Sequence, residues 1–141
     1  MASVSLLFVA YYFLLLKSSH LNLRSLELAG LLFRLSFIFS VPALSDDYFR
    51  FIWDGIAVQA GYSPFSHTPS ALLLLPEVVD KFPPELFAGM NSREYYSVYP
   101  PVLQAIFSIA SLFSTPGNQL TSIIVLRLFI LLFEIGTYHL L

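Results

Sequence analysis

The sequence predicts an all-α integral membrane protein with about four transmembrane helices and one large extracytoplasmic loop. Composition is the first ground for this: 57% of the 141 residues are hydrophobic, only 11% are charged, and the mean hydropathy is +0.74. A soluble domain carries about 25% charged residues, so a water-exposed globule of this composition could not cover its surface. The second ground is distribution. The apolar residues fall into four blocks, and seven of the nine acids sit between the second and third of them.

A bilayer core takes about 20 helical residues. The first block, 4–16, is short and borrows Lys17 at its end. It lacks the basic start and small-x-small cleavage site of a secretion signal and is read as a span. The second block, 26–44, and the fourth, 122–141, are long enough alone. The third, 99–114, opens on Tyr99-Pro100-Pro101, where proline suits a first helical turn. Tyr95, Tyr96 and Tyr99 there fit an interfacial aromatic belt. Lys17 and Arg24 put the first connection in the cytoplasm. Residues 45–98 then form the outer loop, and the hairpin around Pro116-Gly117 returns to the cytoplasm. The chain stops within an apolar run, His139-Leu140-Leu141. Residues 1–141 are therefore expected to form a single membrane domain that is part of a longer protein.

A charge at the centre of a membrane helix costs about 2.5–3.5 kcal/mol on insertion scales. Arg34 in the second block, with Arg127 and Glu134 in the fourth, are accordingly expected to meet as a polar cluster. Net charge is −2, so no basic surface points to nucleic acid. Cysteine is absent, which excludes disulfides and thiolate metal sites. His20, His67 and His139 show no ligand spacing.

The chemistry concentrates in Ser45-Asp46-Asp47-Tyr48-Phe49-Arg50-Phe51-Ile52-Trp53-Asp54-Gly55. Ser45 and Asp46 offer N-cap oxygens. On a helix Asp47, Arg50 and Asp54 share one face at i, i+3 and i+7. Phe49, Ile52, Trp53 and Ile56 gather opposite, which predicts an amphipathic helix lying on the membrane with Trp53 near the head groups. Two carboxylates beside a guanidinium can orient a hydroxyl, take its proton, or hold a divalent cation such as Mg or Mn. The same residues also fit a solvated helix cap, and the sequence pattern leaves both readings open.

Three segments, in order, resemble bacterial polytopic mannosyltransferase-like proteins of the C-type glycosyltransferase superfamily. Ser-Asp-Asp-x-x-Arg-Phe-x-Trp-Asp-Gly is similar to their first outer-loop motif. Gly61-Tyr62-Ser63-Pro64-Phe65 resembles their Gly-x-Asn-Pro-aromatic turn, with Ser63 in place of Asn. Tyr96-Ser97-Val98-Tyr99-Pro100-Pro101-Val102-Leu103-Gln104 resembles the Tyr-Pro-Pro opening of their next helix. Leu32-Phe33-Arg34-Leu35 is similar to the preceding span, and Ile56 stands where relatives carry a polar residue. The resemblance implies the N-terminal part of such a fold, inactive as an isolated piece. It implies transfer of a hexose, mannose foremost, from a polyprenyl-phosphate donor to an extracytoplasmic glycan or lipid acceptor at the cell membrane. It implies Asp47 as the catalytic carboxylate, then Asp46 and Asp54. Arg50, Trp53 and Tyr99 would be substrate-binding residues, and Asp46 and Asp47 would hold the cation. The competing expectations are a non-catalytic membrane subunit and, from Arg34, Arg127 and Glu134, a lipid or solute transporter fragment.

Overall fold

The computed structural model describes residues 22–140 together with Val9, Tyr12, Phe13, Leu16 and Lys17. The chain divides into two compact units, Met1–Phe37 and Ile38–Leu141. The first expected span, 4–16, lies largely outside the described residues.

In the first unit, α1 covers Leu23–Ser36. Asn22 caps it, its side-chain oxygen accepting the Arg24 N–H at 3.3 Å. Fourteen residues make a helix of about 21 Å, and this one carries Arg24, Glu27 and Arg34. It is neither long nor apolar enough to be the span expected over 26–44. The chain beyond it is not helical, for a reason visible in the second unit. Arg127 Nη1 donates to the Ile38 carbonyl at 2.9 Å and also to the Ser40 carbonyl. Pro42, the residue whose N–H would close a helical bond to Ile38, has no N–H to give.

In the second unit, α2 spans Asp47–Gln59. Its Ile52, Trp53 and Ala57 are fully buried against Leu72, Val78, Phe82, Leu86 and Met90. Those partners come from short pieces folded over α2: α3 (Pro69–Leu72), a 3-10 turn (Val79–Lys81) and α4 (Pro84–Gly89). Trp53 stacks on Phe82 with ring centroids 4.2 Å apart. Each large side chain buried in this way stabilises the unit by about 1.5–3 kcal/mol. The apolar face of α2 is thus covered by protein, and the expected surface-lying helix with Trp53 among head groups is not what forms. The loop carries enough apolar residues of its own to close a core, which the sequence reading had assigned to lipid contact.

Next, α5 covers Pro101–Ser111. Contacts advance in step from Phe51–Tyr99 through Asp54–Gln104 to Gln59–Ser111, so α2 and α5 run in the same direction. They touch closely at Gly55, where an added Cβ would lie 2.2 Å from the Phe107 carbonyl oxygen. At 11 residues α5 is about 16 Å long, roughly half of a hydrocarbon core. Its following hairpin turns at Pro116-Gly117, with Gly117 at φ +75 and the Asn118 N–H bonded to the Thr115 carbonyl at 3.0 Å. The hairpin docks back on the loop, since Gly117 N–H donates to Glu85 Oε1 at 2.5 Å. At this length, and with the hairpin after it bonded back to the loop before it, α5 is not the span expected over 99–114.

Only α6, Leu120–Leu140, is long and apolar enough to cross a membrane among the described residues. Its 21 residues reach about 31 Å, its mean hydropathy is 2.0, and only 17% of it is buried within the protein. A core helix of the same composition would be mostly covered. Instead Ile130, Leu132 and Phe133 are exposed. The expectation of about four transmembrane helices is corrected to one candidate span.

Candidate active site

The polar face of α2 turns inward to α5 and to the strand-like segment that precedes it. Arg50 is 3% exposed and Asp54 is 1% exposed. Arg50 Nε and Asp54 Oδ1 lie 2.7 Å apart, one helical turn removed. The other Asp54 oxygen accepts from Gln104 Nε2 at 3.1 Å, and Gln104 Nε2 also donates to Ser97 Oγ at 2.6 Å. Arg50 Nη1 donates to the Ser92 carbonyl at 2.7 Å and approaches Ser92 Oγ at 3.3 Å. Arg50 Nη2 is buried and has no hydrogen-bond partner among the described residues. An unsatisfied buried donor on a cation is costly.

Tertiary contacts bring the three motif segments together. Ser97 N–H donates to the Pro64 carbonyl at 2.8 Å, tying the Tyr-Pro-Pro strand to the Gly61–Phe65 turn, and Gln104 ties it to α2. Between them lies a cavity of about 260 Å³ lined by Asp47, Arg50, Ser92 and the segment from Tyr95 to Tyr99. Asp47 opens α2. Its Oδ2 accepts from Ser45 Oγ at 2.8 Å, and Ser45 Oγ in turn accepts the Asp47 N–H at 3.2 Å. Ser45 therefore performs the capping, and Asp46, at the N-cap position, makes no side-chain capping bond.

A second cavity, about 340 Å³, runs along α6. Tyr48 and Phe51 of α2, Leu103 and Phe107 of α5, and Ile123, Ile130 and Phe133 of α6 line it, and apart from Arg127 and the tyrosine phenols its wall is apolar. Tyr99 lines both cavities. Its ring meets Phe51 and Phe107 edge-on, at 5.0 and 5.5 Å. Burial raises the Tyr99 phenol above its ordinary value. The Asp47 charge adds to this, Arg50 opposes it, and Asp54 adds again. Tyr99 stays a neutral hydrogen-bond donor at physiological pH. A third cavity, about 560 Å³, opens beside Gln59, Lys81, Glu85 and Ser114, at the opposite end of α2 from Asp47. It contains none of the expected catalytic, substrate-binding or metal residues.

Asp47, Arg50 and Tyr99 share the polar cavity, while the other expected site residues do not. Asp54 is consumed by Arg50 and Gln104 and holds the arginine rather than facing a substrate. Asp46 is exposed and lies off the cavity. Trp53 is in the core, where it cannot touch a sugar. Among the described residues no three His, Asp or Glu side chains cluster as a metal site. Asp46 and Asp47, the expected cation ligands, do not line one cavity, since only Asp47 faces the polar one. Arg127 lies on the Ile38 and Ser40 carbonyls, and Arg34 Nη1 reaches the Gly30 carbonyl one turn back at 3.3 Å. Ser92, Ser97 and Gln104 escaped the sequence reading. Gln104 had a signal, being the only amide in the apolar run 101–113. No protein-family model, curated protein or solved structure matches the chain.

Proposed function

We propose that the protein is a membrane glycosyltransferase that moves a hexose, mannose foremost, from a polyprenyl-phosphate donor to a hydroxyl of a glycan or lipid acceptor. One observation carries this reading: a polar cavity lined by Asp47 and Arg50 meets an apolar groove along α6, with Tyr99 as their common wall. An anionic head on a long hydrocarbon tail is the ligand shape that fills both. The ordered resemblance of the three segments supports the same chemistry. The polar cavity belongs on the extracytoplasmic face of the cell membrane, with α6 entering the bilayer beside it.

The mechanism is a single displacement. Asp47 accepts the proton of the acceptor hydroxyl through the carboxylate oxygen that Ser45 leaves free. The hydroxyl oxygen bonds to the anomeric carbon as the bond from that carbon to the phosphate oxygen breaks. The electron pair departs with polyprenyl phosphate. The Arg50 guanidinium stabilises the charge that develops there, in a site with little water to screen it. The Tyr99 phenol, held protonated, donates to the same phosphate. Asp54 and Ser92 keep Arg50 in place.

The test is transfer of labelled mannose from polyprenyl-phosphate mannose in membranes carrying the protein at its natural full length. Asp47→Asn is expected to abolish transfer while insertion into the membrane is unchanged. Full transfer by that variant rejects Asp47 as the base.

A further inference from the structure

We propose that Gln104 is a positioning residue that fixes the Arg50 guanidinium at the wall of the polar cavity by orienting Asp54; this rests on the phosphate-binding reading of the site. The amide is buried on α5, a different helix from the pair it controls. Its Nε2 must face Asp54 Oδ2, because the flipped amide would set an oxygen against a carboxylate oxygen. That bond, with the second one to Ser97 Oγ, fixes the plane of the Asp54 carboxylate. The carboxylate plane fixes Arg50 Nε at 2.7 Å, and Ser92 fixes Nη1. With two of its three nitrogens held, the planar guanidinium has no remaining freedom. Gln104 does not line the polar cavity, so it acts through Asp54 and Arg50 rather than by contact.

The arrangement also explains why the amide and the acid come from different elements. Separation of α5 from α2 would break the Gln104–Asp54 bond and free the guanidinium to rotate, so the packing of the two helices at Gly55 sets the geometry of the anion site. Gln104 Oε1, buried without a hydrogen-bond partner among the described residues, indicates that the amide is placed for its donor end and not for full satisfaction.

Gln104→Met tests this, because methionine keeps the length and apolar packing of the side chain but cannot donate. Two readouts are taken on the purified full chain. Binding of farnesyl phosphate, a soluble carrier of the same head group, is expected to weaken about tenfold or more, the effect of losing an aligned hydrogen bond to a charged group. Exchange of the Arg50 Nε–H proton, followed by NMR without ligand, is expected to accelerate. The unfolding midpoint reports whether Met preserves the fold; if it does not, Gln104→Leu is read in the same two assays. Farnesyl phosphate bound equally well by wild type and variant overturns the positioning role and leaves the function reading intact. A wild type that does not bind farnesyl phosphate defeats the function reading. Proton exchange then decides the positioning role alone, and an unchanged rate overturns it.

Discussion

The Gly117 N–H and the Glu85 carboxylate are hydrogen-bonded at 2.5 Å, across 32 residues of chain. This bond closes a loop that contains the whole of α5. It requires the segment around α4 and the hairpin before α6 to be on one side of any membrane. The chain has no cysteine, so single cysteines at Ala88 and Asn118 can be introduced without background. Both are expected to react with a membrane-impermeant maleimide from the same side. Labelling from opposite sides would reinstate α5 as a span.

The same bond carries a pH dependence. The Gly117 N–H, and secondarily the Glu85 backbone N–H, hold the Glu85 carboxyl below its ordinary value of 4.5. A lowered carboxyl stabilises the fold above that value and loses this contribution as pH falls through the folded-state value. Glu85→Gln is expected to lower stability at neutral pH and to flatten the acid limb below about 4.5, so that the two curves converge in acid. An acid limb identical to wild type would mean that the bond does not form in solution.

Gly55 has no room for a methyl group, because the Phe107 carbonyl oxygen and Ser111 Oγ would lie 2.2 and 2.7 Å from it. The first of these is backbone and cannot rotate away. Gly55→Ala is expected to destabilise the protein by about 1–3 kcal/mol through overpacking and to reduce transfer by parting Gln104 from Asp54. Wild-type stability in a denaturant titration would show that α2 and α5 are not in this contact.

Asp54→Ala leaves the Arg50 guanidinium charged, buried and without its carboxylate. Breaking a buried pair by removing one partner costs about 3–5 kcal/mol. Asp46→Ala, on the exposed helix start, is expected to change stability by less than about 0.5 kcal/mol. A larger loss for Asp46 than for Asp54 in thermal unfolding would reverse the placement of the two acids.

Tyr99 is expected to ionise above pH 10, since burial, then the Asp47 charge, disfavours the phenolate. For an acid whose folded value is raised, the associated stability is present below 10 and is lost as pH rises through the folded value. Tyrosinate absorbance of the folded protein should therefore show a late-titrating component that Tyr99→Phe removes. A titration unchanged by that substitution would place Tyr99 in water, away from the Asp47 cavity.

The polar face was legible because its information is local. The spacing of Asp47, Arg50 and Asp54 puts them on one side of a helix whatever that helix packs against, and proline at the start of a helix marks α5. What each face packs against depends on residues distant in the chain. Trp53 read as a membrane anchor because Phe82, Leu86 and Met90 lie about 30 or more residues away, and nothing in their spacing announces that they fold over it. Apolar runs are ambiguous for the same reason. The run 99–114 is as hydrophobic as a span, yet only 11 of its residues are helical and the hairpin after it is held by Glu85. The run 26–44 is interrupted by Pro42 and by the Arg127 contacts to Ile38 and Ser40, which only the tertiary structure supplies. Gln104 was visible as a polar residue in an apolar run, but its partner Asp54 could be named only once α5 was laid beside α2.

The junction at Tyr99 is best tested by photocrosslinking with a polyprenyl phosphate bearing a diazirine on its first isoprene units. Crosslinks are expected on Leu103, Phe107 and Ile130 in the apolar groove, and Arg50→Gln should strongly reduce them by removing the anchor for the phosphate. Crosslinks that ignore the Arg50 substitution, or that fall only on the far faces of α6, would contradict one amphiphilic ligand seated across both cavities.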